Sequence, residues 1–66
     1  MKKIKINRNI YSEHTIEKTM EIYKNHAVTT LRYKGDYATI TFWKCKYDEE
    51  QTIKEFENYM IGLENS

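Results

Sequence analysis

Two histidines, one cysteine and a short acidic run are the groups in this chain whose types could do chemistry. His14 and His26 stand a dozen positions apart, about 18 Å along a helix axis, so they do not form a ligand pair on one helical face. Each reads as a surface histidine. Cys45 has no histidine close to it in sequence and reads as a small packing residue, not a reactive thiol. A lone cysteine excludes both a disulfide framework and every multi-cysteine zinc pattern. The run Asp48-Glu49-Glu50 could suggest a cation, yet three carboxylates at a helix start are explained by the positive end of the helix dipole. Two glycines leave no phosphate-cradling loop. The expectation is a chain with no catalytic residues, no metal and no cofactor.

The elements that would carry these residues are legible from spacing. Lys3-Ile4-Lys5-Ile6-Asn7 alternates charge with β-branched side chains, the pattern of a short strand with Ile4 and Ile6 on one face. Ser12 suits a helix N-cap, and Tyr11 with Ile16 has the spacing of a hydrophobic staple. Glu13 to Lys24 then follows helical period, with Ile16, Thr19, Met20 and Tyr23 on one stripe and Asn25 as a left-handed stop. Ala27 to Tyr33 and Tyr37 to Tyr47 are rich in β-formers and flank Lys34-Gly35-Asp36, which predicts a hairpin. Asp48 begins a last helix, with Gln51 placed to complete a capping box. Ile53, Phe56, Met60 and Leu63 recur along it. The order is β-α-β-β-α, and both helices must bury their stripes on one sheet face. The predicted fold is a two-layer α+β sandwich on a three-stranded sheet, with strand 1 beside strand 3 as in ferredoxin-like arrangements.

The hairpin divides its side chains between two faces. Ala27, Thr29, Leu31, Tyr33, Ala38, Ile40 and Phe42 share the face expected to meet the helices. Phe42, Ile40, Leu31, Ile16, Met20, Phe56 and Met60 are the predicted core. Val28, Thr30, Arg32, Tyr37, Thr39, Thr41, Trp43 and Cys45 share the opposite face. A tryptophan, a tyrosine and an arginine gathered together have the composition of interface hot spots. Trp43, Tyr37, Arg32, Thr39 and Thr41 are accordingly the candidate protein- or peptide-binding residues. The same face also reads as the ordinary solvent side of a two-layer sheet. Nucleic acid is the weaker alternative, because the bases and acids balance and the aromatic-Gly-aromatic motifs of RNA-binding sheets are missing. Ile4 and Ile6 join the candidates by another route: their strand, at a sheet edge, could take a peptide by strand addition.

Length and composition bound the rest. Sixty-six residues make one domain, residues 1–66. At that size a core supplies about 3–5 kcal/mol, so a homodimer or a hetero-complex is expected. Eleven basic and ten acidic residues give a net charge of +1, too little to draw the whole chain to a polyanion. The start Met1-Lys2-Lys3-Ile4-Lys5 lacks the apolar stretch of a signal peptide, and no apolar run could span a bilayer. A cytoplasmic protein with no membrane contact is expected.

Asn9-Ile10-Tyr11-Ser12-x-x-x-Ile16-x-Lys18, the strand pair, and Ile53-x-x-Phe56-x-Asn58-Tyr59-x-Ile61 together resemble the small His-Xaa-Ser system protein D family, the HxsD-like proteins. The resemblance covers roughly residues 3 to 61. Longer members continue past the late signature with an arginine-bearing segment, whereas this chain reaches Gly62 and then Ser66. The resemblance implies a non-catalytic accessory of radical S-adenosylmethionine enzymes that mature ribosomally made peptides. Such a protein would hold a precursor peptide, a maturation enzyme or a second copy of itself. The alternative is a small homodimeric regulatory or inhibitory protein that acts by covering a partner's surface.

Overall fold

A computed structural model describes residues 1–66. The elements run β1 (Lys2–Asn7), α1 (Glu13–Ile22), β2 (Ala27–Lys34), β3 (Tyr37–Cys45) and α2 (Glu49–Glu64). The sheet order is β1-β3-β2, and both outer strands pair antiparallel to β3. The fold is the expected α+β sandwich.

Local chemistry accounts for each boundary. The side chain of Ser12 accepts a hydrogen bond from the Thr15 amide at 3.2 Å, and Asp48 accepts one from the Gln51 amide at 2.9 Å. Each thus satisfies one of the amides that a helix start leaves free. Gln51 does not complete the expected capping box. Its side-chain amide instead donates to Glu55 one turn on, at 3.2 Å. Helix α1 stops at Ile22, earlier than its period predicts, and Asn25 is not left-handed. The chain leaves through successive turns, with Lys24 N–H bonded to the Glu21 carbonyl and His26 N–H to that of Tyr23. Gly35, at φ +57°, is the one residue with positive φ and closes the hairpin.

The core lies between sheet and helices. Ile6, Ala27, Ala38, Ile40 and Phe42 from the sheet meet Ile16, Ile53, Phe56 and Met60 from the helices. Phe42 and Phe56 cross edge-to-face with centroids 5.2 Å apart, and Tyr23 caps Phe56 in the same manner at 5.4 Å. Leu31 and Met20, expected in the core, only flank it and stay half-buried. Threonine takes up some of the interior instead. Thr15, Thr19 and Thr52 are buried, and Thr19 bonds back to the Thr15 carbonyl at 2.7 Å, which removes the cost of its hydroxyl.

One expectation about the sheet faces fails. The β2–β3 register runs from Lys34↔Tyr37 to Thr29↔Phe42 and then shifts, so that Val28 faces Lys44 and Ala27 faces Cys45. Trp43 is the extra residue of this β-bulge. A one-residue insertion reverses the alternation beyond it. Cys45 therefore turns to the core side, where it packs half-buried against the core beside Ala27, and not to the open face.

Candidate functional site

The face of the sheet away from the helices is built by all three strands. Strand β1 contributes Lys3 and Lys5, β3 contributes Tyr37, Thr39, Thr41 and Trp43, and β2 contributes Thr30 and Arg32. Cross-strand register sets their neighbours: Lys3 faces Thr41, which faces Thr30, and Lys5 faces Thr39, which faces Arg32. A shallow groove of about 500 Å³ runs over this row, lined by Lys3, Thr30, Arg32, Thr39, Thr41 and Trp43.

Trp43 dominates the groove because the bulge re-aims it. Its indole N–H donates to the Thr30 hydroxyl at 2.8 Å, which fixes the ring over β2 while 53% of the residue stays exposed. Tyr37, at the other end of β3, is 42% exposed, and the Lys5 ammonium lies 4.6 Å from its ring centroid. Thr39 is half-buried and Arg32 is exposed. Thr41 is only 7% exposed, so it forms floor more than contact surface. Ile4 and Ile6 stand apart from this set. Their side chains point to the helices, where Ile6 is buried and Ile4 half-buried, so neither joins the open face.

Charge is sorted between the layers, although the chain as a whole carries only +1. Lys3, Lys5, Arg32, Lys34 and Lys44 all sit on the open sheet face. Of the carboxylates, only Asp36 in the hairpin turn lies outside the helices and their caps. Composition could not expose this segregation, because the two signs cancel when counted along the chain.

The other polar groups serve the fold. Arg8 donates to the Gly35 carbonyl at 2.9 Å and to Glu13 at 2.6 Å, and its guanidinium lies 4.4 Å from the Tyr33 ring centroid. It ties the start of α1 to the hairpin turn. Burial, followed by the hydrogen bond that Tyr33 donates to Glu17, pushes the Tyr33 phenol up to about 12. Burial also raises the Cys45 thiol above its ordinary value, with the nearby Glu49 carboxylate acting in the same direction. That is the opposite of what a nucleophilic thiolate needs. His14 and His26 are both exposed and not together: His26 lies between Tyr23 and Tyr47, at centroid distances of 5.4 and 5.9 Å. No group of three His, Cys, Asp or Glu side chains gathers as a metal site. No helix is long and apolar enough to cross a membrane.

Compared with known proteins, the chain matches no family model, no curated protein and no solved structure. The arrangement on the sheet is therefore the main guide to what the molecule does.

Proposed function

We propose that this chain is a non-catalytic binding module that holds a protein or peptide partner against the open face of its sheet. The observation that carries this reading is Trp43, held half-exposed by the bulge and the Thr30 bond in a groove it shares with Lys3 and Arg32. Aromatic and arginine side chains on a rigid strand surface lose little entropy when a partner covers them, and they dominate the energetics of protein interfaces.

Within that reading, the motifs around Tyr11-Ser12 and Phe56-x-Asn58-Tyr59 favour an accessory of radical S-adenosylmethionine-dependent maturation of ribosomal peptides in the cytoplasm. The partner is then a precursor peptide or the maturation enzyme. A homodimeric regulator is the second reading. A two-fold contact through the open face would oppose Lys3, Lys5 and Arg32 of one copy with the same cations of the other. The charge pattern thus favours a hetero-complex. The test is to titrate the purified chain with a tryptophan-free precursor peptide of such a maturation system, following the emission of its single tryptophan. Saturable binding that Arg32→Glu weakens in this titration, and that Trp43→Ala weakens when the heat of binding is measured instead, supports the proposal. Binding that ignores both substitutions counts against it.

A further inference from the structure

Strand β1 is paired on one side only. Its residues Lys2 to Asn7 pair with Phe42 to Tyr37 of β3, and the order β1-β3-β2 leaves the outer side without a strand. Apart from the Asn7 carbonyl, which accepts from the Ile10 and Tyr11 amides at 3.1 Å, the N–H and C=O groups on that side are free to pair with another chain. No backbone hydrogen bond joins β1 to helix α2, which meets the start of the strand only through the ion pairs of the Met1 ammonium with Glu49 and of Lys2 with Glu50, both at 3.8 Å.

Two recesses of about 470 and 410 Å³ lie along this edge, between β1 and α2. Ile4 and Ile53 line the first, with Glu50 and Lys54 at its border. Ile6, Met60 and Ile61 line the second, and Ile61 is 44% exposed there. The two sides of the edge thus differ. Toward the helices it offers recesses floored by Ile4, Ile6, Ile53 and Met60 and rimmed by the charged Lys54 and Glu57, and toward the open face it offers Lys3 and Lys5.

We propose that the β1 edge takes an extended peptide whose residues alternate between acidic and apolar. Side chains of a strand alternate with period two. In an added strand the acidic residues would stand beside Lys3 and Lys5, and the apolar ones would enter the recesses under α2. This rests on the reading of the chain as a peptide- or protein-binding module and names the chemistry of its partner. Edge lysines usually prevent pairing, and here they do so selectively. A second β1 edge would set lysine beside lysine, whereas an acidic strand meets opposite charge. A nucleic acid strand has no amide ladder to pair with β1 and no apolar side chains for the recesses.

The probe is a capped octapeptide alternating glutamate and valine, titrated against the full ¹⁵N-labelled chain. Its controls are the same octapeptide with lysine for glutamate, and an oligothymidylate. At saturation every second amide of β1, those pointing outward, is expected to exchange more slowly by about tenfold or more, which corresponds to about 1.4 kcal/mol. The lysine octapeptide should not bind. Lys3→Glu together with Lys5→Glu should weaken the glutamate peptide by about tenfold, while Lys18→Glu on the outer face of α1 should not. Equal binding of both octapeptides, or unchanged β1 amides in a saturated complex, overturns the proposal. If the native partner perturbs Trp43 and leaves the β1 amides alone, the edge fails and the binding-module reading stands. If only the oligothymidylate binds, both fail.

Discussion

Phe56 and Tyr37 are both aromatic, yet they belong to different parts of the molecule. Phe56 is fully buried between Phe42 and Tyr23. Phe56→Ala is expected to cost about 3–5 kcal/mol, comparable with the whole stability of a domain this small. Circular dichroism should show an unfolded chain. Tyr37→Ala should leave the fold intact, and the reverse pattern would mean the sheet faces are misassigned. Glu64 gives a pH test. It accepts hydrogen bonds from the amide and the hydroxyl of Ser12, at 3.0 and 3.3 Å, and its pKa falls below the ordinary 4.5, through the nearby Thr15 hydroxyl first and then these Ser12 bonds. A carboxyl whose folded pKa is depressed adds stability above its unfolded value and loses it as pH falls through the folded one. Glu64→Gln should therefore be less stable than the parent at neutral pH and match it in acid, as read by urea unfolding. Period predicted the apolar residues, since burial repeats with the turn of a helix or the pleat of a strand. It placed Thr19 on the buried stripe but not the partner of its hydroxyl, the Thr15 carbonyl, and it did not predict Arg8, whose partners Gly35 and Tyr33 are distant in sequence.

At the scale of elements, strand and helix order followed from alternation, caps and the Lys34-Gly35-Asp36 turn. The β-bulge did not. Nothing in Thr41-Phe42-Trp43-Lys44-Cys45 announces an extra residue, because either register leaves an acceptable alternation. The misplacement of Cys45 is its direct consequence. The bulge also brings Trp43 to Thr30, so the local irregularity belongs to the candidate site and not to the scaffold alone. Two substitutions test the element boundaries. Gly35 has φ +57° with open space around a would-be Cβ, so Gly35→Ala should cost about 1–2 kcal/mol from backbone strain alone. Ser12→Ala removes the α1 cap and should cost about 1 kcal/mol. Thermal unfolding would read both, and a neutral result at Gly35 would contradict the turn.

For the whole molecule, the sorting of charge decides what kind of partner fits. A net charge of +1 hides a cationic sheet face backed by carboxylate-rich helices, and only the fold turns one into the other. Sequence reading placed Trp43, Tyr37, Arg32 and Thr39 on a common face but left that face as solvent side or interface. Cross-strand neighbours made it a basic groove. Two copies pressed together through it would repel, and that repulsion weakens with salt over a Debye length of about 8 Å. Light scattering at low salt should accordingly show no dimer through this face. The central claim is that a partner docks on the open sheet face, and emission from Trp43 reports on it directly. Titration with a tryptophan-free partner peptide should shift that emission to the blue with saturation, as the half-exposed indole is covered. A saturated complex in which the emission of Trp43 is unchanged would contradict the account.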